Sequence, residues 1–275
     1  MVTFPLCGGT IAYRATSGFC VALTNPVVSC AVGAAAKGLS ALVAYTFSKT
    51  LTDAGDLLSG GGVAGYRAPD LTGFGIQGDW GLAPFNITHS FVASGSYDLP
   101  FGRGRTYMSS GSKLAEGLLG GWSFNWILTL HSGNPQTINC TYTTAADMGC
   151  YALYTGASLY AGQSVEHFYN AAAFTNPGVV TQIGQTNYAP LGGGNTQVSG
   201  PGFHRLDFSL FKSFPITERK RFELRIEAFN LSNTPNFAQP SSTNFLDTVD
   251  FGKITATVDN PNDPRELQVA LKFYF

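Results

Sequence analysis

The residue types able to do covalent or acid–base chemistry are present in this chain, but not at spacings that would let them cooperate. Four histidines, His89, His131, His167 and His204, fall outside any H-E-x-x-H arrangement, and no serine sits in a G-x-S-x-G turn. Catalysis needs a nucleophile or a metal beside a base, and neither grouping is spelled out, so no enzymatic activity is expected. Gly73-Phe74-Gly75-Ile76-Gln77-Gly78 matches G-x-G-x-x-G, yet Asp79-Trp80-Gly81 follows where a dinucleotide fold requires a helix. These are loop glycines. Asp53, Asp56, Asp70 and Asp79 share one connection and could meet a hard cation, but without EF-hand spacing they read as a solvated loop. The five cysteines, Cys7, Cys20, Cys30, Cys140 and Cys150, contain no C-x-x-C and do not alternate with histidines at zinc spacing. No metal and no cofactor is expected. Cys140 and Cys150 bracket a short polar loop and could pair as a disulfide in an oxidising compartment, while the odd count leaves at least one thiol over.

Charged residues recur more regularly elsewhere. Arg205 and Asp207, then Glu223, Arg225 and Glu227, occupy every second position in two segments joined by Pro215-Ile216-Thr217-Glu218-Arg219-Lys220. Residues two apart share one face of a strand, so a tight hairpin should set opposite charges across from each other. Such a ladder serves either as a structural ion-pair network or as a ligand contact.

The elements carrying these residues are strands. In the last eleven residues Leu267, Val269, Leu271, Phe273 and Phe275 alternate with Glu266, Gln268, Ala270, Lys272 and Tyr274. A period of two sorts the apolar from the polar set, which a helix would mix. The same pattern holds in Leu39 to Phe47, Ile87 to Leu99, Trp122 to Leu130, Arg205 to Phe214 and Arg221 to Ala228. These six segments have the roughly ten-residue length that a tilted strand needs to cross a bilayer. Their connections also alternate in length: Lys49 to Asn86, Ser132 to Gly202 and Ser232 to Pro264 are long, whereas Pro100 to Gly117 and Pro215 to Lys220 are shorter. Long loops on one side and short turns on the other are the habit of an outer-membrane barrel. Trp122, Phe124 and Trp126, with Phe273 and Phe275, have the placement of interfacial girdle aromatics. Lys212 and His89 are polar exceptions on the apolar faces, near strand ends where snorkelling is cheap.

Composition supports a β protein of low charge. Only 12% of residues are charged and 44% are hydrophobic, with 33 glycines, 21 phenylalanines and 12 tyrosines among 275 residues. A net charge of −1 offers no basic footprint for nucleic acid. No stretch approaches the roughly 20 uninterrupted apolar residues of a membrane helix, and residues Met1 to Leu6, without a basic residue or a following apolar run, are not expected to act as a signal peptide. Met1 to Lys37 is atypical and unassigned, and 38–275 reads as the barrel portion. A secreted or surface soluble β-sandwich binding module whose apolar faces form a dry core, or a small passive porin, would show the same alternation.

Several short segments resemble a known family. Ala44-Tyr45-Thr46-Phe47-Ser48-Lys49, Tyr97-Asp98-Leu99-Pro100-Phe101-Gly102-Arg103-Gly104-Arg105 and Leu119-Gly120-Gly121-Trp122 come first. Ser132-Gly133-Asn134-Pro135, Glu227-Ala228-Phe229-Asn230-Leu231-Ser232-Asn233 and the terminal Leu271-Lys272-Phe273-Tyr274-Phe275 follow. In this order they are similar to the C-terminal barrel of TonB-dependent outer-membrane receptors of the Oar-like type. The resemblance implies an all-β fold, an antiparallel transmembrane segment of about six to eight strands from a larger barrel of about 22 strands. It also implies a plug inside that barrel and uptake driven by a TonB-type energy transducer. The chain shows no plug and no TonB box, so it is expected to be a fragment whose transducer would act through the missing plug. Other implied partners are outer-membrane lipid, the barrel-assembly machinery, which would read Leu267, Val269, Leu271, Phe273 and Phe275, and a small, peptide or carbohydrate ligand. Ligand contact is expected in the outer loops at Trp80, Tyr142, Tyr151, Tyr154 and Tyr160.

Overall fold

The computed structural model describes residues 4–6, 9–11, 15–22, 28–52, 81–102, 105–107, 117–140, 150–175, 198–217, 219–258 and 264–275. Eight strands form one sheet: β1 Ala15–Ala22, β2 Val28–Ala36, β3 Leu39–Phe47, β4 His89–Asp98, β5 Trp122–His131, β6 Phe203–Pro215, β7 Arg221–Phe229 and β8 Glu266–Tyr274. Each strand pairs antiparallel with its neighbours in sequence, an up-and-down order with β1 and β8 at the edges. The sheet does not close on itself. The last six strands are the six expected from alternation; β1 and β2 come from the stretch left unassigned.

Register decides which side chains share a face. Val32, Val43, Ala93, Leu128 and Leu206 lie in one cross-strand row, and Tyr97, Phe124, Leu210, Ile226 and Val269 in another. Every apolar set therefore falls on the same side of the sheet. On the opposite side Ser40, Ser96, Asn125, Ser209, Glu227 and Gln268 line up. Among the described residues nothing packs over the apolar face: Leu267, Val269 and Leu271 are 69, 68 and 67% exposed, and even the inner-strand Ile226 and Phe222 are each 37% exposed. A soluble sandwich would require a second layer there, since burying each such side chain is worth about 1.5–3 kcal/mol. The face is instead suited to hydrocarbon.

Both rims of this face carry aromatics. At the long-loop end Tyr45 and Phe47 pack on His89, whose Nδ1 lies 2.8 Å from the Tyr45 hydroxyl. At the short-turn end Tyr97 meets Phe124 edge-on, and Phe222 packs tilted on Phe273, which stacks on Phe275. Trp126 departs from the expected girdle. It is the register partner of Gly95, where an added Cβ would lie 2.4 Å from its ring carbon Cζ2 and 2.7 Å from the Ser40 carbonyl oxygen. The indole covers the gap that glycine leaves in the sheet.

Turn residues fix the register at each end. Gly38 and Gly121 adopt φ of 78° and 68°, and a Cβ at either would lie 2.8 or 2.7 Å from a carbonyl oxygen, of Asp98 and Ser213 respectively. Only glycine fits both demands. Gly95→Ala should destabilise the sheet by about 1–3 kcal/mol through overpacking. Denaturant unfolding from lipid vesicles checks this, and adding Trp126→Ala should recover only part of the loss, because the Ser40 contact remains.

Candidate functional site

Among the described residues, the buried apolar cluster lies at the long-loop end. Ile138, Ala152, Tyr169, Ala173, Phe174, Val198 and Phe251 form a buried cluster, with Tyr154, Ala157, Leu159, Phe168 and Phe245 packed against it. Six of the seven buried members come from the β5–β6 connection, and Phe251 is supplied by the β7–β8 connection. Backbone bonds sew the two together. Phe168 donates to the Gly252 carbonyl at 2.9 Å, Ile254 to that of Val165 at 2.8 Å and Asn139 to that of Thr243 at 2.9 Å. Lys253 Nζ adds an ion pair to Glu166 at 3.4 Å. The described parts of the two long loops thus form one packed layer at this rim of the sheet.

Three of the expected ligand-contacting aromatics lie in this layer. Tyr154 pairs with Phe174 in register and packs on the cluster. Tyr160 donates its hydroxyl proton to the Ser199 carbonyl at 3.0 Å and accepts the Ser199 N–H at 2.9 Å. Tyr151 pairs with Asn139 in register. Tyr154 and Tyr160 hold the layer together; Tyr154 is half-buried and Tyr160 is 37% exposed. Trp80, Tyr142, the four loop aspartates and the glycine motif at 73–78 lie outside the described residues. Sequence inspection missed Tyr169, whose buried hydroxyl donates to Gln136 Oε1. Burial pushes this phenol far above its ordinary 10.0, so it stays a proton donor. Isolated aromatics in a segment without periodicity give no signal of such a core.

The charged ladder needs correcting. Arg205 bonds Asp207 on its own strand, with Nε at 2.9 and 3.1 Å from the two carboxylate oxygens. Arg225 likewise bonds Glu223, Nε to Oε1 at 2.5 Å. The two pairs do not face each other, because register sets Glu223 opposite Ser213, Arg225 opposite Phe211 and Glu227 opposite Ser209. They lie toward opposite ends of the inner wall. Asp207 also accepts the Asn230 N–H at 2.9 Å, tying β6 to the turn after β7. Across the strands, Arg225 sits over the Phe211 ring at 5.1 Å and Arg221 over Tyr274 at 4.3 Å. From β2 to β5 this wall carries mainly small side chains instead, among them Ser40, Ser94, Ser96 and Asn125, interrupted by Leu42 and Ile127.

Disulfide placement is partly resolved. Cys140 and Cys150 are direct register partners in a short antiparallel pair, an arrangement that suits cross-strand bonding. Cys30 is disulfide-bonded, and its register partner on β1 is Cys20. That second site was not foreseen.

A sheet with one face bare and apolar, the other polar, and a folded layer over its long-loop rim is the architecture of an outer-membrane barrel wall. Residues 32–268 match the family model described as an outer membrane beta barrel domain. The chain belongs to that family. It is accordingly an outer-membrane protein, with the long connections outside and the short turns facing the periplasm. Comparison with curated proteins and with solved structures returned no significant match. The match begins inside β2, so at least part of the stretch left unassigned is barrel wall.

Phe251→Ala should remove about 3–5 kcal/mol from the loop core. Limited proteolysis of the protein in membrane vesicles should then cut the 132–202 connection faster along with the 232–264 connection that carries the substitution. Faster cutting of 232–264 alone would mean that the two loops do not form one unit.

Proposed function

We propose that the chain is the C-terminal barrel portion of a TonB-dependent receptor of the Oar-like type, without enzymatic activity, which binds a ligand at its extracellular loops and passes it through a plugged barrel. The observation that carries this is the open sheet. In hydrocarbon the unpaired N–H and C=O groups of an edge strand cost several kcal/mol each, so β1 and β8 need partners. Further strands of a larger barrel would supply them. Supporting it, the segments that resemble the receptor family occupy the structural corners of this sheet. Asn230 of the Glu227–Asn233 segment takes φ 48°, is buried, and bonds Thr234 through both its side-chain oxygen and nitrogen. In the Leu119–Trp122 segment, Gly120 accepts the Lys212 ammonium and Gly121 accepts the Ser213 N–H at 2.9 Å. Gly133 presses on Gly200, where a Cβ would meet a carbonyl oxygen at 1.9 Å. In this reading the partners are a TonB-type transducer acting through the plug, the barrel-assembly machinery reading β8, and a small, peptide or carbohydrate ligand.

One observation favours a second reading. The sheet has eight strands rather than six, and β1 and β8 run in opposite directions, so they could pair and close a small barrel that conducts passively.

The genomic sequence upstream of the first codon separates these. A plug and an export signal in frame are expected; a stop codon followed by an unrelated gene would contradict the receptor. Reconstitution of the chain in planar bilayers tests the other side, since steady ion conductance without an energised partner would favour the small pore.

A further inference from the structure

The short-turn rim is basic. Among the described residues Lys37, Arg105, Lys212, Arg219, Lys220, Arg221 and Lys272 cluster there, against only Asp98 and Glu223. At the opposite rim Lys49, Arg205, Lys253 and Arg265 are outnumbered by Glu166, Asp207, Asp247, Asp250 and Glu266. The asymmetry lies along the membrane normal.

One of these cations is placed on the lipid side. Lys212 is the register partner of Trp122 and Leu224, which puts it on the apolar face, and it is 2% exposed. Its ammonium donates to the Gly120 carbonyl and lies 5.4 Å from the Trp122 ring and 5.1 Å from that of Phe214. A buried ammonium within an aromatic girdle sits where hydrocarbon gives way to headgroups. Gly120 and Phe214 also line a groove with Phe101, Arg105, Gly121 and Ile216. Arg105 adds a guanidinium, held by Asp98 at 3.1 Å. Leu118, Leu119 and Ile216 are 71, 51 and 55% exposed around it. The groove carries Arg105 on its lining with Lys212 buried beside it, and its apolar members suit an acyl chain while the basic rim suits an anionic phosphate.

We propose that this groove, at the periplasmic end of β5 and β6, binds the headgroup of an anionic phospholipid. The Lys212 and Arg105 side chains would set the local positive field, the exposed Arg219 and Lys220 would extend it along the rim, and Phe101, Phe214 and Ile216 would take the first methylenes. The site rests on the outer-membrane placement but not on the receptor function.

The test uses the full chain refolded into vesicles of phosphatidylcholine, alone or mixed with phosphatidylglycerol. Spin-labelled versions of each lipid report, through quenching of tryptophan fluorescence, their relative association with the protein. Labelled phosphatidylglycerol should quench preferentially, and the preference should shrink as salt rises. Arg219→Gln and Lys220→Gln, both in an exposed turn, should each lower it by up to about fivefold. Lys49→Gln and Lys253→Gln, at the other rim, should leave it unchanged. Insertion with equal quenching by both lipids, or equal losses from substitutions at either rim, would overturn the headgroup site alone. Failure to insert into either vesicle would overturn the membrane placement with it.

Discussion

The register of the antiparallel ladder is the constraint on which the rest of this structure depends. A slip of one residue at any pair would carry an entire apolar set to the polar side, and in hydrocarbon there is no water to rescue either the displaced side chains or the broken backbone bonds. The turns bear that burden. Gly38 and Gly121 close the short turns in left-handed conformations that hold their carbonyl neighbours too near for a Cβ. Asn230 ends β7 in the same conformation, and Asp207 accepts its N–H from the neighbouring strand. Each corner is locked by side-chain or backbone contacts to a strand other than its own, which makes the register a property of the sheet and not of single hairpins.

Two sources of cohesion divide the molecule. The sheet has almost no buried core; its order rests on the ladder, on cross-strand pairs such as Gly95 with Trp126, and on a lipid phase that accepts the exposed Leu267, Val269 and Leu271. Above it the loops behave as a small soluble protein, with Tyr169, Phe174 and Phe251 at their centre. Long loops could have been mobile lids. Here the described parts of 132–202 and 232–264 share a core, so they are ordered against each other and not as separate segments.

Much of this was legible in the sequence, and the limits are physical. Six strands were readable because their two faces differ strongly in polarity, as with Phe222, Leu224 and Ile226 against Glu223, Arg225 and Glu227. In β2 the faces are Val28, Cys30, Val32 and Ala34 against Ser29, Ala31, Gly33 and Ala35, a contrast too small to see. The charged residues were placed on the correct face, but their partners were not. Two-residue periodicity gives facing and leaves the offset between neighbouring strands undetermined, so the ion pairs were expected across strands and formed along them. Trp126 looked like a girdle residue because only the register reveals Gly95 beneath it. The loop core depends on contacts between segments about 100 residues apart, such as Ile138 and Phe251, for which a single sequence carries no periodic trace.

The most direct test of the account is a cysteine scan along β8, one substitution at a time from Gln268 to Lys272, in the protein embedded in its membrane. Each variant is challenged with a water-soluble thiol reagent and, separately, labelled with a fluorophore quenched by brominated lipid tails. Positions 269 and 271 should resist the reagent and be quenched by lipid, while 268, 270 and 272 should react and escape quenching. Uniform reactivity along the strand, or quenching at the even positions, would contradict the assignment of the apolar face to lipid.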